Sequence, residues 1–365
     1  MIDRDKKILV LILCIFSIYI IKTSLTPHYL DVVTERRLWD FDHYQEVSKW
    51  FLGMDGEETA REYQYPPLYP ILVTPTLPLN VETRDGLLYL LFLDNIFITL
   101  TFIPLFLLLN KWLSFHNSVG ISFFLILFNI GFTPKNIGFP IAFATLLFTC
   151  FIYFFYNVDS RLKSSSLFFG LLIFTKYLFF FLCPMILVWL YLRPNKHSRL
   201  LTTVFFFTQA SLLFSLWSLR NILLHGLSIK GAIGGYDNTF TTVTPLNVPV
   251  SLIPDKLSSI FSDGISTAIV NCFIIFILGF SVIVYFYHMK RDIFMKIFNV
   301  KLYHFYMCLM LNFLIFFFIL GMTYRNTIFH WRYLTYLLPV YISLGIMPFL
   351  KIINYKQSRN KKREQ

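Results

Sequence analysis

Long apolar runs separated by short polar breaks recur along almost the whole chain, and the period-two alternation of a membrane barrel is absent. A helix needs about 20 apolar residues to cross a bilayer, somewhat fewer when neighbours help. Runs of that kind lie near 8–24, 86–109, 118–132, 137–156, 166–179, 181–192, 202–224, 265–288, 303–322 and 332–350. The stretch 166–192 reads either as one long tilted helix or as two short ones broken at Cys183-Pro184. Charge favours two. The flanking loops 157–165 and 193–200 are both basic, and basic loops belong on the cytoplasmic side. The predicted fold class is therefore all-α: a polytopic integral membrane protein with about ten transmembrane helices and both ends inside.

This pattern divides the chain into a cytoplasmic end with the first transmembrane helix (1–24), a first extracytoplasmic loop (25–85), transmembrane helices (86–224), a second extracytoplasmic loop (225–264), further helices (265–350) and a basic cytoplasmic tail (351–365). The first run follows Arg4, Lys6 and Lys7 as a signal peptide would. No small-x-small cleavage site follows, so an uncleaved span is expected.

One stretch departs from the pattern. From Trp39 to Pro75 the chain carries its densest polar chemistry. His43 to Leu52 has helical spacing (Tyr44, Val47, Trp50, Phe51), which predicts an amphipathic helix lying flat in the interface with Trp at headgroup depth. Tyr65-Pro66-Pro67-Leu68-Tyr69-Pro70 fixes φ at its three prolines and cannot continue a helix. It predicts a stiff exit from the loop into the membrane, with an aromatic wall able to line a lipid or sugar pocket.

Composition sharpens the class. A hydrophobic fraction of 56%, 43 Phe and a mean hydropathy of +0.62 exclude an ordinary soluble domain. The net charge of +12 sits at Arg4/Lys6/Lys7, Arg161/Lys163, Arg193/Lys196/Arg199, Lys290/Arg291/Lys296/Lys301 and the tail from Lys356 to Arg363. These are short loops and ends, so the expected partner is anionic lipid in the bilayer and not nucleic acid. The five cysteines lie in apolar runs with no close pair, which indicates neither a disulfide nor a metal site.

Candidate chemistry gathers on the outer face. Asp40 and Asp42 offer a carboxylate base for an acceptor hydroxyl, the second orienting the first or helping to hold a divalent cation such as Mg2+ or Mn2+. Asp42 serves equally well as the N-cap of the following helix. Arg220-Asn221 ends the seventh span, and Arg325, His330 and Arg332 bracket the last outer turn. Outer-face arginines oppose the usual charge bias. Their partners are either acids such as Asp40 or a phosphate, which a guanidinium binds with paired hydrogen bonds. Asp94 and Lys176 are the charges lying most clearly inside spans, either paired with each other or, for Lys176, directed at a ligand phosphate.

Together these residues resemble a known family. Asp40-Phe41-x-x-Tyr44, a helix ending in Gly53, and Tyr65-Pro66-Pro67-Leu68-Tyr69-Pro70-Ile71-Leu72-x-x-Pro75 are similar to the first outer loop of the GT-C membrane glycosyltransferases, above all the polyprenol- or dolichol-phosphate-mannose-dependent mannosyltransferases. Thr175-Lys176-Tyr177, Trp217-x-x-Arg220-Asn221-x-x-x-His225-Gly226 and Arg332-Tyr333-x-x-Tyr336-Leu337-Leu338-Pro339 extend the resemblance along the chain. It implies an inverting transferase that moves a hexose, mannose first, from a polyprenyl- or dolichyl-phosphate donor to a glycolipid or glycan acceptor outside the cytoplasm. On that pattern Asp40 is the base, although Asp40-Phe41-Asp42 also resembles the D-x-D of related enzymes and leaves the assignment open between the two. Arg220, Arg332 and Lys176, with Arg325 and His330, would hold the donor phosphate. Tyr44, Tyr65, Pro66, Pro67, Tyr69, Asn221 and Tyr333 would line the pocket. No soluble C-terminal domain follows the last span, so acceptor recognition is expected from loops. The rival class is a flippase or transporter of a lipid-linked or small substrate, for which inverted repeats and midplane charges are the usual signs. Compact length and the lack of glycosylation sequons point to a prokaryotic plasma membrane before the endoplasmic reticulum.

Overall fold

A computed structural model describes residues 44–45, 47–49, 67–78, 84–127, 140–192, 199–225, 264–323 and 335–364. All regular structure among these residues is helical. The elements are α1 (Leu68–Val73), α2 (Arg84–Leu109), α3 (Phe115–Leu127), α4 (Ile141–Tyr156), α5 (Val158–Thr175), α6 (Cys183–Leu192), α7 (Arg199–His225), α8 (Gly264–Met289), α9 (Arg291–Ile297), α10 (Val300–Thr323) and α11 (Leu338–Glu364). Three of them are long and apolar enough to cross a membrane: α2 through Phe92–Leu109, α7 through Arg199–Arg220 and α11 through Leu338–Asn360. A fourth is reached if α9 and α10, bent by 92° at their junction, act as one broken span.

Several hydroxyls inside these helices bond back within their own segment. The Thr99 hydroxyl donates to the Asn95 carbonyl (2.7 Å), Thr101 to Phe97 (2.8 Å), Thr145 to Ile141 (2.8 Å) and Thr149 to Thr145 (2.7 Å). Each bond runs back one turn, so a hydroxyl in an apolar helix needs no partner outside its own segment.

The break within 166–192 falls elsewhere than at Cys183-Pro184. Lys176 adopts an extended backbone (φ −158°, ψ 119°) that ends α5. A 3-10 turn from Tyr177 to Leu182 follows, and α6 starts at Cys183. Pro184 therefore stands in the first turn of α6, where its missing N–H has no intrahelical partner to lose. Proline here starts a helix, and the lysine ends one.

Ring contacts fix how the helices run. Phe97 meets Phe143 (4.7 Å) and Trp112 meets Tyr156 (4.7 Å), so α2 and α4 descend together, with α3 returning against α2. Phe148–Phe179 (6.4 Å) and Tyr156–Trp189 (6.2 Å) set the chain leading into and through α6 parallel to α4. Phe169–Phe206 (5.8 Å) and Phe174–Trp217 (6.4 Å) set α7 parallel to α5. Phe273–Phe313 (4.2 Å) and Tyr287–Tyr303 (4.0 Å) make α8 and α10 antiparallel. Successive long helices thus reverse direction. Lys111, Arg161, Lys163, Lys290, Arg291, Lys296 and Lys301 all fall at one end, the basic end. α11 also finishes there, its Lys351 Nζ donating to the Ile297 carbonyl (2.8 Å).

An aromatic knot ties that end together. Tyr156 at the foot of α4 packs on Trp112, Trp189 and Phe305, from three other parts of the chain. The Trp112 indole donates to the Tyr156 hydroxyl (3.3 Å), and the Trp189 indole donates to the Phe155 carbonyl (3.0 Å). Buried indoles and phenols need such partners, and here they find them.

Elsewhere the helices touch backbone to backbone. A Cβ on Gly170 of α5 would stand 2.6 Å from the Ala210 carbonyl oxygen of α7. A Cβ on Gly345 of α11 would stand 2.8 Å from the Ile275 backbone of α8, and one on Gly279 would collide with the Gly345 carbonyl. Small residues permit this approach, which holds apolar helices together where water supplies no driving force. Gly345→Leu is therefore expected to destabilise the protein by about 1–3 kcal/mol through overpacking. Gly120→Ala, with nothing within 4 Å of the new carbon, should leave it unchanged or slightly firmer. Thermal unfolding in detergent checks both; equal melting temperatures for the two variants would mean that α8 and α11 do not approach in this way.

Candidate functional site

Residues 44–45 and 47–49 pack with α1 at the far end of the helices, opposite the basic end. Tyr44, Val47 and Ser48 are helical and buried. The Ser48 hydroxyl lies 2.7 Å from the Tyr44 carbonyl and 2.7 Å from the Pro70 carbonyl, so its one proton is shared between its own helix and α1. The Tyr44 and Tyr69 rings meet edge to face at 5.1 Å. Pro67 precedes α1 with φ near −80° and accepts the first helical bond, from the Ile71 N–H (3.1 Å). Pro67 thus precedes a short helix that packs against α5 and takes Tyr69 and Pro70 into its first turn, where the proline has no intrahelical bond to lose; Tyr65 and Pro66 lie outside the described residues.

Tyr69 is completely buried. Burial first, then the nearby Asp94 carboxylate, then Tyr44, push its phenol well above the ordinary tyrosine value. Tyr69 consequently stays neutral and can act only as a hydrogen-bonding group. Its sensitivity to Asp94 ties the first loop to α2. Lys176 stands at the end of α5, half-buried, where a cation also complements the helix dipole. On the neighbouring α7 the Arg220 guanidinium covers the Trp217 ring at 4.8 Å, and Trp217 in turn meets Phe174, two residues before Lys176. α11 is entered through Tyr336, which is buried with its ring 5.0 Å from Phe179.

The structure therefore brings Tyr44, Pro67, Tyr69, Lys176 and Arg220 to the same end, along with Asp94. Asn221 continues α7 one residue beyond Arg220. Asp40, Asp42, Tyr65, Pro66, Arg325, His330, Arg332 and Tyr333 lie outside the described residues. Among the described residues no three His, Cys, Asp or Glu side chains gather into a metal site, and the option of a cation at Asp40 and Asp42 falls outside them. Ser48 is the residue that sequence reasoning missed. Its signal was a small polar residue on the apolar face of the 43–52 helix, between Val47 and Phe51.

Chemically, this end combines a carboxylate, an ammonium and a guanidinium with neutral phenols and a rigid proline segment. Positive charge on separate helices suits an anion that enters between them. Replacing Ser48 with Ala should cost about 0.5–1.5 kcal/mol and loosen the 25–85 loop. Limited proteolysis of the intact protein would show faster cleavage within that loop, whereas an unchanged rate would mean that the shared proton holds nothing. Comparison with known proteins supplies no relative: no protein-family model, no curated protein and no solved structure matches the chain.

Proposed function

We propose that the chain is a polytopic membrane glycosyltransferase of the GT-C type, crossing the bilayer about ten times. In this reading it moves a hexose, mannose first, from a polyprenyl- or dolichyl-phosphate donor to a lipid-linked glycan or protein acceptor on the extracytoplasmic face, in the plasma membrane of a prokaryote. The observation that carries it is the seating of the Tyr-Pro-Pro segment. Its Tyr69 and Pro70 lock onto Tyr44 and Ser48 and reach Asp94, at the end of the helices where Lys176 and Arg220 also stand.

The chemistry needs little more than position and charge. An acceptor hydroxyl oxygen bonds to the anomeric carbon while the bond from that carbon to the phosphate oxygen breaks, inverting the centre. The proton passes to a first-loop aspartate, Asp40 or Asp42, and the lipid phosphate departs with the electron pair. A carboxylate of ordinary pKa near 4 is a weak base, sufficient when proton removal is late and the sugar is already cation-like. Guanidinium and ammonium groups from later helices stabilise the charge that grows on the leaving phosphate.

Purified protein in detergent, given a lipid-phosphate hexose and crude acceptor glycolipids, should release free lipid phosphate. Changing the true base to Ala should lower turnover by about 10²–10⁴ with the melting temperature kept. If Asp40→Ala and Asp42→Ala both turn over normally, neither residue is the base. Arg220→Lys and Arg332→Lys retain charge but lose the paired geometry, so each should raise the apparent KM for donor about tenfold. An unmoved KM would exclude bidentate phosphate contact.

A further inference from the structure

The basic end holds a site that the transferase reading does not use. α5 and α7 run parallel and clamp together where Gly170 meets Ala210. Closer to the basic end, Ser166 Oγ donates to Gln209 Oε1 (2.7 Å) and Gln209 Nε2 donates to the Lys163 carbonyl (3.3 Å). Beyond that bridge the first turns of the two helices line an open cavity of about 580 Å³. Arg161, Lys163, Ser160 and Ser164 line it from α5, and Leu201, Thr202 and Phe205 line it from α7.

Its charge is unbalanced. The one lining carboxylate, Asp159, is engaged by Lys301 at 3.5 Å. Among the described residues neither Arg161 nor Lys163 makes an ion pair. Lys111 and Lys301 add to the field, their ammonium groups 5.2 and 5.0 Å from the centre of the Tyr156 ring. Although Lys111 as a residue is exposed, its ammonium rests against two tyrosine rings. Desolvation there, then Lys301, then Arg161 lower its pKa to about 8. Four cations share this corner.

The cavity also opens onto an apolar track. Leu201, Phe205, Leu212, Leu216, Leu219 and Leu223 are all exposed and fall on one stripe of α7, at spacings of three, four and seven. Two of them, Leu201 and Phe205, belong to the cavity itself. From Leu201 to Leu212 the stripe climbs about 16 Å, close to one leaflet of hydrocarbon about 15 Å deep. Hydroxyls and unpaired cations at the mouth and a leaflet-long apolar stripe beyond them match the two halves of one kind of molecule.

We propose that this cavity binds an anionic phospholipid of the cytoplasmic leaflet, headgroup phosphate toward Arg161 and Lys163 and acyl chains along the Leu201–Leu212 stripe of α7. Basic pockets between helices on the cytoplasmic side recognise lipid headgroups by the same charge logic. The site is independent of what happens at the far end, so it stands or falls separately from the transferase reading.

The test titrates the purified full-length protein in neutral detergent with phosphatidylglycerol, with phosphatidylcholine of the same chains, and with glycerol phosphate, reading the melting temperature and bound lipid by native mass spectrometry. Phosphatidylglycerol should bind saturably and raise the melting temperature, with phosphatidylcholine much weaker. R161Q/K163Q should weaken that binding about thirtyfold, the factor for removing two cations beside an anionic surface. Thr202→Trp, which fills the cavity without touching charge, should abolish it, and K356Q/R359Q on the tail helix should leave it intact. Equal binding of both lipids would overturn the proposal, since the apolar stripe alone would then be acting. So would phosphatidylglycerol binding retained in both cavity variants, which would put the site elsewhere. A full effect from glycerol phosphate would assign the cavity to a soluble phosphate compound instead.

Discussion

Each segment of this chain that lies in hydrocarbon has to pair its own N–H and C=O groups, because lipid offers none. That constraint leaves only the helix for a sequence so rich in Phe and Leu, and it reaches down to side chains. The threonines of α2 and α4 bond back into their own helices instead of seeking partners across the structure. With these hydroxyls bonded within their own helices, little directional bonding remains to choose the arrangement. Helix packing then rests on ring geometry and on close approach. Tyr156, Trp112, Trp189 and Phe305 interlock four parts of the chain at one end, and Gly279, Gly345 and Gly170 remove the side chains that would hold α8 from α11 and α5 from α7. A Tyr306 hydroxyl donating to the Leu344 carbonyl and an Asn312 amide donating to the Tyr341 hydroxyl (3.0 Å) are among the few cross-helix bonds.

Part of the helical layout was legible from the edges of the apolar runs, although α5 begins at Val158 in what reads as a basic loop and α11 continues to Glu364 through the basic tail. The runs near 86–109, 202–224, 265–288 and 303–322 coincide with α2, α7, α8 and α10. The return of the chain between two basic loops was legible too, from charge alone: α5 and α7 start at the same end. The position of the break was not. Proline has two opposite meanings, breaker within a helix and starter in its first turn, and composition does not say which applies at Pro184. Nothing in the residue types around Lys176 predicts an extended backbone. The 92° bend between α9 and α10 was equally hidden, since 291–297 reads only as a charged loop. Of the candidate site, Tyr44 and Tyr69 were legible as aromatic residues flanking the polar part of the first loop. The contacts that seat it, Ser48 on Pro70 and Tyr69 near Asp94, join residues 22 and 25 positions apart and carry no local sequence signal.

The two ends use charge differently. At the basic end, lysines face aromatic rings: Lys111 over Tyr153 (4.4 Å), Lys301 over Tyr156 (5.0 Å) and Lys351 near Phe298 (5.6 Å). A ring face attracts a cation without cancelling it, so the field continues outward to whatever anion the surface offers. At Lys301 part of that field is met by the Asp159 carboxylate at 3.5 Å. At the far end Arg220 also rests on a ring, while Lys176 caps the carboxyl end of α5, where the helix dipole favours a cation; both are half-buried.

The break at Lys176 links these observations. Ending α5 there would leave its last carbonyls without partners, and the structure answers with the Lys176 N–H donating to Leu172 (2.8 Å) and the Phe179 N–H donating to the Lys176 carbonyl (3.1 Å) in a tighter turn. Irregular backbone is tolerated deep in a membrane protein only when protein covers it or a polar cavity receives it. Phe179 and Leu182 are fully covered, while Lys176 is not. A continuous helix would have carried the ammonium around with its own face and left it bound to the register of its neighbours. An extended residue takes Lys176 off that register, so the backbone break, and not the face of α5, sets where its ammonium stands.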